Sequence, residues 1–216
     1  MKEQIDSTTL ISLENYLAAN FPLEKVLRTG WILMGIPEKD VQTVKQHTDA
    51  ARAIAKVLVP SLLPNLDYQK TDSLICVHDI AEVITTDITP YDGVSPQEKR
   101  SLESLAIEQI IYSMRSDRFE TQANLLLKLW KEYEERLSAE AIAAKQLDIL
   151  EMWHQGLIYA KSGKYPQNTI HVLLNDKERM KFVLNENNGA LKDYALALLS
   201  KLHISSRSHL NLTQGA

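Results

Sequence analysis

The stretch CVHDIAEVITTDITP, residues 76–90, brings His78, Asp79, Glu82 and Asp87 within ten positions, and each can bind a metal or move a proton. Their neighbours Leu74, Ile75, Val77, Ile80, Ala81, Val83 and Ile84 read as buried helix. A carboxylate in such a setting is costly unless it is paired, hydrogen-bonded or bound to a cation. On one continuous helix His78 and Glu82, four apart, share a face, while Asp79 is turned about 100° from His78. An imidazole nitrogen and a carboxylate oxygen are donors that a divalent first-row metal accepts. Two ligands hold a metal poorly, so further donors must come from elsewhere. His47 lies beside Val44 and Ala51, and Asp148 sits between Leu147 and Ile149 in AAKQLDILEMW. His154 and His171 lie beyond the middle of the chain, and His203 and His209 in its tail. Each residue alone reads more readily as a hydrogen-bonded core group. A His, a His-Asp pair and an Asp on three separate apolar helices argue together for a metal site.

The elements that must position these groups are helices. Seven Gly and seven Pro fall between long segments of helical periodicity, and no segment alternates as a strand does. A short helix is expected over 9–20, and a long one from Pro37 or Asp40 to Val59, ended by PSLLP. The next is expected over Asp67–Ile84. Ser95, Pro96 and Glu98 form a helix start in which hydroxyl and carboxylate each satisfy a backbone N–H. Helices at 119–135, from Ser138, at 175–185 and at 189–203 follow, before a polar end expected to be mobile. Residues 1–216 read as one all-α domain, a single-domain helical bundle.

Net charge is −4, with 28 acidic and 24 basic residues and no basic block, which argues against a nucleic-acid surface. No stretch reaches the roughly 18 apolar residues of a membrane span. The acidic N-terminus does not read as a signal peptide. The single cysteine, Cys76, reads as a small core residue in a reducing compartment. A cytoplasmic protein is the expectation.

Five blocks carry a resemblance: RTGW (28–31), TVKQH (43–47), HDIAEVITTDITP (78–90), LWKEYEE (129–135) and KQLDILEM (145–152). In order and spacing they resemble the HD superfamily of metal-dependent phosphohydrolases, within the branch of the 5′-deoxynucleotidases and small HD-domain proteins. The match covers about residues 24–160. It implies an HD-type helical fold and a divalent cation (Mn, Co, Ni, Zn, Fe or Mg) held by His47, His78, Asp79 and Asp148. It implies Glu82 as general acid/base, which an apolar setting would help by raising its pKa. Arg28 is implied as the phosphate anchor, a guanidinium forking onto two oxygens. Trp31 suits stacking on a base or core packing. Asp87, Ile88 and Thr89 match a segment that contacts the sugar, with Asp87 accepting from a 3′-hydroxyl.

The expected substrate is a nucleoside 5′-monophosphate, in the deoxy form. Alternatives are another phosphomonoester, a phosphodiester, a nucleoside triphosphate, or a module that senses a nucleotide without turning it over. Two departures from the family bear on the substrate: Thr86 stands where Gly is usual, and TVKQH brings in Gln46 and, near the site, Lys45. Related nucleotidases form dimers, so a homodimer is implied. Leu191, Leu196, Leu198 and Leu199 in the tail can cover a partner or the domain itself.

Overall fold

The structure is a computed structural model that describes residues 21–114, 119–165, 173, 175–185 and 189–213, with residues 11 and 14; for Phe21, Asn185 and 204–213 only the backbone is described. The helix expected over 9–20 therefore lies outside the described residues. The α-helices are α1 (Thr29–Leu33), α2 (Val44–Leu62), α3 (Tyr68–Val77), α4 (Glu82–Thr85), α5 (Pro96–Met114), α6 (Glu120–Glu135), α7 (Ala139–Ser162), α8 (Lys177–Asn185) and α9 (Gly189–Thr213). Among the described residues there is no strand, only an isolated bridge between Leu27 and Thr43.

α7 is the central element. Its buried residues include Ala143, Ala144, Leu147, Leu150, Trp153 and Leu157, and α2, α3, α6 and α9 pack around it. The small Ala143 and Ala144 let neighbouring helices approach closely. Val44, Ala51, Ala55 and Leu58 of α2 turn inward at three- and four-residue spacing. A second cluster, Val77, Ile80, Ile107, Ile110, Ile111, Ala123, Leu126 and Trp130, joins the end of α3 to α5 and α6. Leu191, Leu198 and Leu199 are buried, and α9 lies on α7, so these three cover the domain itself; Leu196 stays exposed.

The starts of α2, α5 and α7 are capped. Thr43 Oγ1 accepts from the Gln46 N–H (3.2 Å) and Gln46 Oε1 accepts from the Thr43 N–H (2.9 Å). Ser95 and Glu98 make the same exchange, and Ser138 Oγ accepts from the Ala141 N–H. The start of α2 corrects the expected boundary. Glu38–Asp40 form a 3₁₀ turn, Val41 is extended, and the helix begins only after Thr43. It also runs through Pro60 to Leu62, because a proline in the last turn removes a single intrahelical bond. At the other end α9 extends to Thr213, ten residues past the expected stop and into the end expected to be mobile. No helix among the described residues is long and apolar enough to cross a membrane.

The helix expected over Asp67–Ile84 is two helices with a tight turn between them. α3 ends at Val77, and N–H groups of Ile80, Glu82 and Val83 bond to Val77, Asp79 and Ile80, three residues back. Narrower three-residue turns replace the helical spacing here. His78 and Glu82 are thus aimed by this turn and not by one continuous helix. Cys76 is exposed on the outer side of α3, between buried Ile75 and Val77, and is not a core residue.

Candidate metal centre and active site

Four side chains from three elements converge where the α3–α4 turn meets α2 and α7. His47, in the first turn of α2, is fully buried. Its Nε2 lies 2.9 Å from Asp148 Oδ1 and 3.8 Å from Asp79 Oδ2. His78 Nε2 lies 3.0 Å from Asp79 Oδ2 and 4.0 Å from Asp148 Oδ1. One donor atom each from His47, His78 and Asp79 falls within 4.8 Å of the others.

The other ring nitrogens are held from behind. His78 Nδ1–H donates to the Ile75 carbonyl (2.6 Å), and His47 Nδ1 bonds the Glu151 carboxylate. A donor engaged at Nδ1 leaves the Nε2 lone pair free to coordinate. Glu151 is fixed in turn by Gln42 Nε2–H (2.6 Å), whose backbone N–H donates to Tyr159 Oη (3.0 Å). Asp148 Oδ2 accepts from Tyr133 Oη–H (2.9 Å) and Lys145 Nζ–H (2.7 Å), which turns its other oxygen toward His47.

Whether a cation fits this set can be tested on the atoms themselves. His78 Nε2, Asp79 Oδ2 and Glu82 Oε2 are buried without a hydrogen-bond partner. Stranded polar atoms of this kind are costly, and two of them belong to the cluster. Two imidazoles and two carboxylates are a donor set that divalent first-row cations accept, so the residues fit the group.

Arg28 reaches the same place by another route. Its N–H donates to the Gln42 carbonyl (3.0 Å), and Val44 N–H donates to the Val26 carbonyl (2.8 Å), so the chain before α1 is strapped to the start of α2. Arg28 Nη1 then stands 2.9 Å from Asp87 Oδ1, 3.5 Å from Asp79 Oδ2 and 3.9 Å from Glu82 Oε2. Arg28, expected at the phosphate, and Asp87, expected at the 3′-hydroxyl, are paired directly with each other.

Charge and burial set the protonation of these groups. Burial penalises the Asp79 carboxylate, but His78, Arg28 and His47 outweigh it and hold its pKa well below the usual range. Burial opposes ionised Asp148 too, and Lys145 and His47 overcome it in the same direction. Glu82 goes the other way: burial first, then the Asp79 charge, push its pKa far up against the pull of Arg28. Burial and Arg28 disfavour the His47 imidazolium, yet hydrogen bonds to Asp148 and Glu151 raise its pKa to about 9. Burial, then Asp148, raises the Tyr133 hydroxyl well above its usual value.

A cavity of about 440 Å³ opens onto the cluster, lined among others by Arg28, Trp31, Asp79, Glu82, Asp87, Ile88, Thr89 and Asp148. Trp31 is buried, edge-on to Tyr159 (centroids 5.1 Å apart), so it packs in the core, and it also lines the cavity. His154 bonds Tyr194 between α7 and α9, and His203 lies on α9. His171 lies outside the described residues, and no side chain is described for His209.

Lys45 is corrected: its ammonium pairs with Asp49 on an exposed face of α2, and Gln46 serves as the helix cap. The lysine at the cluster is Lys145. Glu151, Gln42, Tyr133 and Lys145 are neighbours of the cluster that sequence reasoning missed. Glu151 and Lys145 each lie three residues from Asp148, the spacing of neighbours on a helix, which could have found them.

The HD domain family model matches residues 22–185. The chain belongs to the HD domain family. It is 32% identical over 155 residues to a 5′-deoxynucleotidase of Xenopus laevis, covering 72% of this chain and 73% of the relative. With the 5′-deoxynucleotidase of Homo sapiens it shares 34% identity over 148 residues, 68% of either chain. An HD-domain phosphohydrolase structure from Listeria innocua shares the fold with a TM-score of 0.69 at 16% identity, covering 94% of this chain and 99% of that one. The HD domain thus takes in every residue of the cluster, together with α8, which lies beyond the blocks recognised in the sequence.

Proposed function

We propose that this HD-domain protein is a metal-dependent phosphohydrolase that releases phosphate from nucleoside 5′-monophosphates, deoxyribonucleotides in particular. The observation that carries it is the convergence of His47, His78, Asp79 and Asp148 beside half-buried Arg28 and buried Glu82, with Arg28, Asp79, Glu82 and Asp148 lining a cavity of nucleotide size. The likeness to two 5′-deoxynucleotidases supports the substrate class.

His47, His78, Asp79 and Asp148 would hold the divalent cation. When bound, it supplies a hydroxide nucleophile near neutral pH and polarises a phosphoryl oxygen. Arg28 offers a forked donor to the phosphate, and Asp87 keeps that guanidinium aimed at the cluster. Glu82, its pKa pushed up by burial and by the Asp79 charge, can give a proton to the departing 5′-oxygen. Asp87, Ile88 and Thr89 lie along the cavity where the sugar would rest, with Asp87 also able to accept from a 3′-hydroxyl.

Charge favours a monophosphate over a triphosphate. The four cations lining the cavity are already matched: Arg28 with Asp87, Lys145 with Asp148, Lys99 with Glu103 and Arg179 with Asp176. With Arg28 taken by the first phosphate, two further phosphates would find, among the described lining residues, only Lys145, Lys99 and Arg179, each held by its own carboxylate. A cytoplasmic location, argued from composition, and a homodimer, implied by the family resemblance, complete the proposal.

The test is phosphate release from a panel of ribo- and deoxyribonucleotides with manganese or cobalt. Turnover of monophosphates with triphosphates left intact is expected. Protein shown to carry metal that releases phosphate from no monophosphate would overturn the reading.

A further inference from the structure

Between α4 and α5 the chain runs along the cavity wall, and Asp87, Ile88, Thr89, Pro90 and Tyr91 all line it. Local bonds, not a regular element, shape this run. Ile88 N–H donates to the Thr86 carbonyl (3.0 Å), and Thr89 N–H and Oγ1–H both donate to Asp92 Oδ2 (2.6 and 2.8 Å). The run begins at Thr86, whose φ of 62° is a conformation that β-branched residues resist. Backbone of this kind keeps one geometry only where its surroundings over-determine it. Arg28 reaches the run from before α1, and Lys99 reaches it from α5.

Lys99, in the first turn of α5, donates from Nζ to the Ile88 carbonyl at 2.7 Å and stands 3.5 Å from Glu103 Oε1. The distances rank its partners. The carbonyl comes first, and the carboxylate one turn further along α5 seats the ammonium without taking it. A lysine serving only a pair four positions on would lie along its own helix; this one extends off α5 into the cavity lining. Burial opposes its charge, but Glu103, Glu82, Asp79 and Asp87 hold its pKa above the usual lysine value, so the bond to Ile88 is charge-assisted. Ile88 is thus held at both its N–H and its carbonyl, which pins the backbone directly after Asp87. Asp87 is itself buried, and its bond to Arg28 takes Oδ1, which leaves Oδ2 to accept from a ligand.

We propose that Lys99 is a positioning residue for the sugar: through the Ile88 carbonyl it holds Asp87 where a 3′-hydroxyl can bond it, and so sets a preference for nucleotides that carry that hydroxyl. The inference rests on the nucleotide reading above and deepens its sugar contact. Lys99 acts through the loop and not on the reacting phosphate.

The experiment compares kcat/KM for deoxythymidine 5′-monophosphate and its 2′,3′-dideoxy analogue, on the full chain with manganese, for wild type, Lys99→Met and Lys99→Arg. Wild type should favour the nucleotide with the 3′-hydroxyl by roughly tenfold, the low end for a hydrogen bond to a charged group. K99M should bring that ratio to within about twofold of unity, by losing activity on the deoxynucleotide with its metal content unchanged. K99R, which keeps a charged donor of similar reach, should retain most of the preference. A lysine that merely anchors α5 would lower activity on both nucleotides alike and leave the ratio at its wild-type value, which overturns the proposal. Should K99M fold poorly, Lys99→Gln keeps a polar side chain at this half-buried position but ends one atom short, and it should lose the preference as well. Equal turnover of both nucleotides by wild type overturns the proposal and leaves the phosphohydrolase reading standing. Release of phosphate from no nucleotide sinks that reading and the proposal with it.

Discussion

Replacing Thr86 with glycine tests whether the loop carrying Asp87 stores backbone strain. Thr86 has φ 62° and ψ 176°, a region open almost only to glycine, and its N–H is tied to the Glu82 carbonyl at 2.8 Å. A β-branched residue held there costs on the order of 1–3 kcal/mol. Glycine would relieve that cost but would add freedom to the unfolded chain, offsetting about 0.4–1 kcal/mol. The Thr86 side chain is exposed, so deleting it forfeits little burial. Net stabilisation of about 1–2 kcal/mol is expected, or a rise in Tm of roughly 2–8 °C for a chain of this size. Thr86→Ala is the control, since alanine keeps the Cβ that clashes and should stay close to wild type. Urea unfolding of the three proteins, with unchanged m, isolates the effect. Should T86G prove no more stable than T86A, the strain argument is wrong.

Three further outcomes follow from the site. Glu82→Gln should lower kcat by roughly 10²–10⁴ with metal content unchanged, measured by steady-state assay and elemental analysis; unaltered kcat would remove Glu82 from proton transfer. Glu151→Ala should weaken metal affinity by about 10–100-fold, since it leaves the His47 ring without its orienting acceptor, and calorimetric titration of stripped protein reads this directly. Gly156→Ala should cost about 1–3 kcal/mol and raise KM more than it lowers kcat, because the new methyl displaces Leu173 and presses on Trp31; thermal melts and substrate titration check the two parts.

Much of the fold was legible because it is locally encoded. Ser95–Glu98 and Ser138 announced helix starts through groups only three residues apart, and both caps form. The inward face of α2 was readable from the spacing of Val44, Ala51, Ala55 and Leu58. Where the reading failed, local pattern had pointed one way and long-range contact the other. Apolar residues recur on both sides of His78, Asp79 and Glu82 from Leu74 to Ile84, so local pattern alone continues the helix, yet it stops at Val77. Cys76 looked like core because its neighbours are apolar, but α3 turns that one position outward.

What the sequence by itself determined is the donor inventory and the helices that carry it: His47, the His78–Asp79 pair and Asp148, each placed in an apolar segment. What only the tertiary structure decided is direction and partnership. The 3₁₀ turns after Val77 bring His78 Nε2 and Asp79 Oδ2 to 3.0 Å, and the strap at Gln42 carries Arg28 onto Asp87, 59 residues away in sequence. Glu151, buried behind His47, joins the site across 104 residues. Periodicity records which side of a helix avoids water, a property of neighbouring residues. Which charges then meet depends on how the helices pack, as does the burial that pushes the Glu82 pKa up while His78 and Arg28 hold that of Asp79 down.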